Sequence, residues 1–125
     1  ARRDFSLPGR KRPWRSASSM SAVMAISRFR VPGDASGFVA GARAVVAHFS
    51  ASVGCEGAEL VQNLDEPELW AIVSRWADVG SYRRAFNGTE AKLVLVPLLS
   101  LAIDEPSAYA EPASVGENRP RGTVS

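Results

Sequence analysis

Apolar residues along this chain recur with two different spacings, and the switch between them is sharpest between Leu69 and Phe86. In Leu69–Trp76 they alternate: Trp70, Ile72, Ser74 and Trp76 fall on one face of an extended strand, and Leu69, Ala71 and Val73 on the other. From Asp78, a favoured helix N-cap, the spacing lengthens to Val79, Tyr82, Ala85 and Phe86, which form one stripe of a helix. A strand bearing two tryptophans that runs directly into an aromatic-faced helix makes one wall of a pocket.

The remaining segments follow the same logic. Ala22 to Val31 reads as a strand, with Val23, Ala25, Phe29 and Val31 on one side and Met24 and Ile26 on the other; Pro32-Gly33 stops it. Asp34 is placed to cap a helix reaching about Ser50, whose stripe is Phe38, Ala42, Val45, Val46 and Phe49. Each large member of such a stripe contributes roughly 1.5–3 kcal/mol when buried, enough to dock the helix on a sheet. Gly54 and Gly57 precede a second strand, about Ala58 to Leu64, and the turn Asp65-Glu66-Pro67 folds it back as a hairpin on Leu69–Trp76. The helix from Val79 ends near Phe86, with Asn87-Gly88 as its C-cap. Thr89 opens another helix through Leu93, Val94 and Leu98, in which Pro97 removes a backbone donor and is expected to kink or split the element. Asp104-Glu105-Pro106 ends it, and Ser107 to Glu111 supplies a short fourth strand.

The order β-α-β-β-α-β predicts an α+β fold of the ferredoxin-like kind, an antiparallel sheet with its helices on one face. The other face then carries Met24, Ile26 and alternate positions of the second and third strands. These are too apolar for water, so a homodimer pairing sheet on sheet is expected.

Charge divides the chain. Residues 1–20 hold Arg2, Arg3, Arg10, Lys11, Arg12 and Arg15 against Asp4, a local +5; the overall +2 therefore leaves −3 on residues 21–125. The chain reads as a basic arm (1–20) expected to be disordered, a mildly acidic globular domain (21–111) and a loose Pro/Gly-containing tail (112–125). Phe5 and Trp14 interleave the arm's basic residues, so the arm alone is a candidate for RNA contact, while the domain does not read as a nucleic-acid binder. Met20 is also a candidate translation start. Arg2-Arg3-Asp4-Phe5 superficially matches a twin-arginine signal, but no apolar stretch follows it. The longest apolar run, Leu93 to Ile103, is about half a membrane span and contains Pro97. With Cys55 as the single cysteine, a reduced, cytoplasmic protein is expected.

His48 is the single histidine, which rules out metal sites built from several imidazoles; a surface position on the helix edge near the C-terminus is its expected place. Cys55, between Gly54 and Glu56, reads as a small filler. No glycine-rich phosphate loop and no Cys/His cluster is present, so no cofactor is signalled. The candidates for chemistry sit at the strand–helix corner. The Tyr82 phenol and the Trp76 indole N–H are placed to hydrogen-bond a substrate oxygen if they border a cavity. Phe86, on the same stripe, Asn63 and Ser74 on the strands, and Arg28, a candidate for an anionic group at the pocket mouth, are the substrate-binding candidates. Arg83 and Arg84 are expected to be exposed, within reach of Glu66, Glu68 or Asp78.

With Phe29-Arg30-Val31-Pro32 closing the first strand, Trp76 closing the third, and Tyr82-Arg83-Arg84-Ala85, Lys92, Pro97-Leu98-Leu99 and Asp104-Glu105-Pro106-Ser107-Ala108-Tyr109 following, the chain resembles the antibiotic biosynthesis monooxygenase-like family over about residues 21–111. The resemblance implies a dimeric α+β barrel and, in one branch, cofactor-independent oxygenases that turn phenolic polycycles into quinones. It implies catalytic roles for Trp76 and Tyr82. Two other positions of that branch depart: an expected Asn falls on Ile72, and a helical Arg falls near Val96. A haem-degrading branch requires a helical His and an upstream Trp, positions that fall near Leu95 and Ala85, so haem chemistry is not expected. The expected activity is thus cofactor-free oxidation of an aromatic or polyketide-like small molecule, the alternative being a non-catalytic ligand-binding or regulatory protein of the same fold.

Overall fold

The alternating and helical spacings become a four-stranded antiparallel sheet with its major helices on one side, in a computed structural model that describes residues 22–115. The elements run β1 (Val23–Arg30), α1 (Ser36–Ser50), β2 (Cys55–Gln62), β3 (Leu69–Trp76), α2 (Val79–Arg84), α3 (Thr89–Leu99), β4 (Ala108–Ala110) and α4 (Pro112–Val115). The sheet order β2-β3-β1-β4 is the ferredoxin-like arrangement that the element order predicts. The basic arm and the greater part of the expected tail lie outside the described residues. At the start of that tail, residues 112–115 form the short α4.

Period-two patterning sorts the two central strands as expected. Antiparallel pairing sets Val23 opposite Trp76, Ala25 opposite Ser74 and Phe29 opposite Trp70, and all six point to the helices. There Val23, Ala25, Phe29, Ile72, Ser74 and Trp76 are buried. From α1, Ala42, Val45 and Phe49 complete this core, and Leu95 and Leu98 of α3 close it from the far side. The opposite face pairs Met24 with Arg75, Ile26 with Val73 and Arg28 with Ala71, and β2 adds Glu59 and Val61. Met24, Val61 and Tyr109 are exposed there.

Several boundaries differ from the sequence reading, each for a local reason. The second strand begins at Cys55 and ends at Gln62, because a bulge between Cys55 and Gly57 lets it extend pairing back to Trp76. Leu64 is therefore a loop residue, 98% exposed. Ala35 holds the N-cap position of α1, while Asp34 accepts a hydrogen bond from the Ser36 N–H through its carboxylate (3.0 Å). The next helix stops at Arg84, two residues before Phe86, and Gly88, at φ +94°, is the N-cap of α3 rather than the C-cap of α2. Pro97 does not split α3: it sits in the last turn, near the natural end of the helix. The fourth strand is three residues long, because β4 pairs only with Val23–Ala25 of β1.

Candidate functional site

Asp78 starts the construction of the site. Its carboxylate accepts from the Ser81 N–H at 2.7 Å, the N-cap expected of it, and that bond holds its pKa below the ordinary carboxylate value. This stabilisation is present above the unfolded-state pKa and is lost as pH falls through the depressed folded value. Capping fixes the first turn of α2 and so aims Tyr82 at the sheet. Four rings then close on one another: Phe49 to Trp76 at 5.4 Å, Trp76 to Tyr82 at 5.6 Å, Tyr82 to Phe86 at 5.3 Å and Phe86 back to Phe49 at 5.8 Å. Three of these contacts are edge-on, the geometry aromatic quadrupoles prefer, so Tyr82 is held by ring packing and by helix capping together.

The two catalytic candidates occupy different depths. Trp76 is completely buried, and its indole N–H donates to the Ser74 hydroxyl at 2.8 Å. Tyr82 is half-buried, and its hydroxyl has no hydrogen-bond partner among the described residues. Two hollows meet at its ring. One, of about 450 Å³, opens where β4 stops short along β1 and is bordered by Ile26, Ser27, Tyr82, Phe86, Leu99 and the 100–107 loop. The other, of about 520 Å³, lies between α2 and β4, bordered by Val23, Val79, Tyr82, Arg83, Tyr109 and Val115. Trp76 reaches neither: it is the backing on which Tyr82 rests.

The remaining candidates scatter. Phe86 lines the first hollow beside Tyr82. Ser74 is buried under Trp76 as its hydrogen-bond acceptor. Asn63 lies just past β2, where its side-chain oxygen accepts from the Asp65 and Glu66 N–H groups at 2.8 Å each and so shapes the hairpin turn. Arg28 is on the sheet face away from the helices, and its guanidinium is engaged twice by Glu105, at 2.7 and 2.8 Å. That pairing holds the Glu105 carboxyl below its usual range and raises Arg28 further. Asn63 and Arg28 border a separate hollow of about 340 Å³ at the hairpin end.

Other sequence expectations resolve in the same way. His48 is half-buried rather than on the surface, its Nε2–H donating to the Ala85 carbonyl at 2.9 Å and tying α1 to the end of α2. Arg84 donates to the Ser81 hydroxyl at 3.3 Å, and Glu66 is taken by Arg30 at 3.1 Å. Cys55 is free and half-buried. Among the described residues no three His, Cys, Asp or Glu side chains gather as metal ligands, and no helix is long and apolar enough to cross a membrane.

Sequence reasoning missed Ser27, Asp104 and Ser107 as cleft residues. The Asp104-Glu105-Pro106 run reads as a helix stop, and only long-range backbone bonds give it a place. The Ile103 N–H donates to the Arg28 carbonyl (2.8 Å) and the Ile26 N–H to the Ser107 carbonyl (2.7 Å), laying this loop along the edge of β1. No local spacing signals these residues, because the loop that lies along β1 is set by backbone bonds between positions far apart in sequence.

Known structures share this fold at low identity. A conserved protein from Methanosarcina mazei is 23% identical, with a TM-score of 0.63 over 75% of this chain and 96% of that one. SnoaB, a cofactor-independent oxygenase from Streptomyces nogalater, is 21% identical, with a TM-score of 0.62 over 73% of this chain and 93% of its own. A Pseudomonas aeruginosa protein is 23% identical, with a TM-score of 0.58 over 77% of this chain and 96% of its own. None of the curated proteins matches the sequence. The family described as antibiotic biosynthesis monooxygenase matches residues 20–93, more than half of the chain and the whole span from β1 through Trp76 and Tyr82 into α3, and the chain belongs to that family.

Proposed function

We propose that the protein is a cofactor-independent monooxygenase that oxidises an electron-rich aromatic or polyketide-like molecule bound against Tyr82. The observation that carries this reading is the Tyr82 hydroxyl, free of hydrogen-bond partners among the described residues, at the meeting point of hollows of about 450 and 520 Å³. Both volumes fall in the range of small-molecule sites, roughly 300–1,000 Å³. Family membership and the fold shared with an oxygenase of known type support the reaction class. On an anthrone, the ring methylene loses a proton to solvent to give an aromatic enolate; this adds O2 by electron transfer and takes back a proton as a ring hydroperoxide, whose O–O bond breaks as the remaining ring hydrogen leaves, giving the new carbonyl and one water. In this reading the Tyr82 O–H donates to the enolate oxygen, stabilising the charge that develops there. Trp76 contributes by position, holding the Tyr82 ring from behind.

Oxygen uptake with a panel of anthrones and hydroquinones tests this. Tyr82→Phe is expected to lower kcat/KM by about 10²-fold, the scale of a lost oxyanion donor. Uptake no faster than in buffer across the panel leaves the second reading, a ligand-binding or regulatory protein of the same fold, which the complete burial of Trp76 favours.

The same proposal includes a homodimer, with the second copy covering the apolar sheet face around Met24, Ile26, Val61 and Val73. Light scattering at micromolar concentration is expected to give twice the 13.4 kDa of one chain, and Val73→Glu to halve it. A mass of one chain for the parent protein refutes the dimer.

A further inference from the structure

We propose that the cleft between Tyr82 and the 100–107 loop selects uncharged aromatic ligands and disfavours the same ring systems when they carry a carboxylate. The inference rests on the reading that this cleft is the binding site and adds which charge its occupant has. Its polar lining is hydroxyl or acidic: Ser27, Ser107 and Tyr82 offer hydroxyls, and Asp104 and Glu105 offer carboxylates. Among the described residues the cation that reaches this lining is Arg28, through Glu105, and it is committed. Its Nε–H and one Nη–H both donate to Glu105, so the pair is neutral and its geometry is fixed by two charge-assisted bonds. Swinging Arg28 toward a ligand anion would break both bonds and leave Glu105 without its counter-ion. The cations of α2 point elsewhere: Arg83 borders the hollow beside β4, and Arg84 turns to Ser81.

Asp104 lines the cleft and has no hydrogen-bond or ion-pair partner among the described residues. A phenol entering here meets groups that accept its O–H. A carboxylate gives up its water to face Asp104 with no uncommitted positive group among the described lining residues in return. The cleft therefore repels anions at its mouth and rewards hydroxyl donors further in.

The test uses the full chain and two probes: a neutral dihydroxyanthraquinone, and the same ring system bearing one carboxylate. Binding is followed by quenching of intrinsic fluorescence at neutral pH and low salt. The neutral probe is expected to bind about fivefold more tightly, with the gap shrinking at high salt and in Asp104→Asn, as a single exposed charge at this range dictates. Equal affinities, tighter binding of the carboxylate, or a gap that Asp104→Asn leaves untouched would overturn the inference while leaving the site itself standing. Binding of neither probe overturns the site as well.

Discussion

Trp76→Ala is expected to lower the unfolding free energy by about 3–5 kcal/mol, the usual consequence of emptying a large aromatic site in a core. The residue has no exposed surface, packs edge-on against both Phe49 and Tyr82, and fills the layer between β3 and α1. For a domain of this size total stability is about 5–10 kcal/mol, so at least about a third of it depends on this one side chain. At about 4–8 °C per kcal/mol, the melting temperature falls by about 12–40 °C. Ser74→Ala isolates one part of the loss. It removes the acceptor of the buried indole N–H and is expected to cost about 1–3 kcal/mol. Thermal unfolding followed by circular dichroism measures both. A Trp76→Ala protein melting within a few degrees of the parent would remove Trp76 from the core and restore it as a cavity wall. This result also governs how kinetics are read: activity lost in Trp76→Ala reports a displaced Tyr82, whereas Tyr82→Phe reports chemistry.

The fold was legible because each element carries its own spacing. Leu69–Trp76 has the boundaries its alternation predicts, and the Phe38–Phe49 stripe buries the residues that helical geometry selects. Ends were less legible where backbone hydrogen bonding rather than pattern decides them. The bulge at Cys55 carries β2 back past Gly57, where the glycines suggest that the strand has yet to begin, and α2 stops before its apolar stripe does. Pro97 misleads for a related reason. A proline disrupts a helix by the bond it removes, and so near the end of α3 it removes little.

The site was half legible. Periodicity put Trp76, Tyr82 and Phe86 at one corner, and the rings do meet there. Period alone does not say which ring faces a hollow and which faces the core, because that depends on what stands opposite. Phe49 covers Trp76, whereas beside Tyr82 β4 ends after three residues and the 100–107 loop takes its place along β1, leaving the cleft between them. Arg28 shows the same limit. Its place on the sheet face was readable, but its partner is 77 residues away in sequence.

Gly54→Ala is expected to cost about 2–4 kcal/mol, although the position is only half-buried and far from the chemistry in sequence. Two effects combine. Gly54 has φ +90°, a backbone conformation that side chains disfavour, and an added Cβ would be driven into the Ser81 side chain. Neither side has room to yield. The Gly54 carbonyl accepts from the Ala77 N–H at 2.8 Å, anchoring the turn to the end of β3. Ser81 is buried, and its own N–H is held by Asp78. Relief must come from moving the first turn of α2, and Tyr82 is the next residue along. Gly54→Ala is therefore expected to weaken ligand binding at the Tyr82 cleft as well as to destabilise the fold. A Gly54→Ala/Ser81→Gly double variant separates the two causes: deleting the Ser81 side chain removes the collision but leaves the strained φ. Recovery of about half of the loss in urea unfolding, more than the two single changes add up to, is the expected coupling. Strict additivity would mean that the turn and α2 do not press on each other, and the link from this glycine to Tyr82 would be lost.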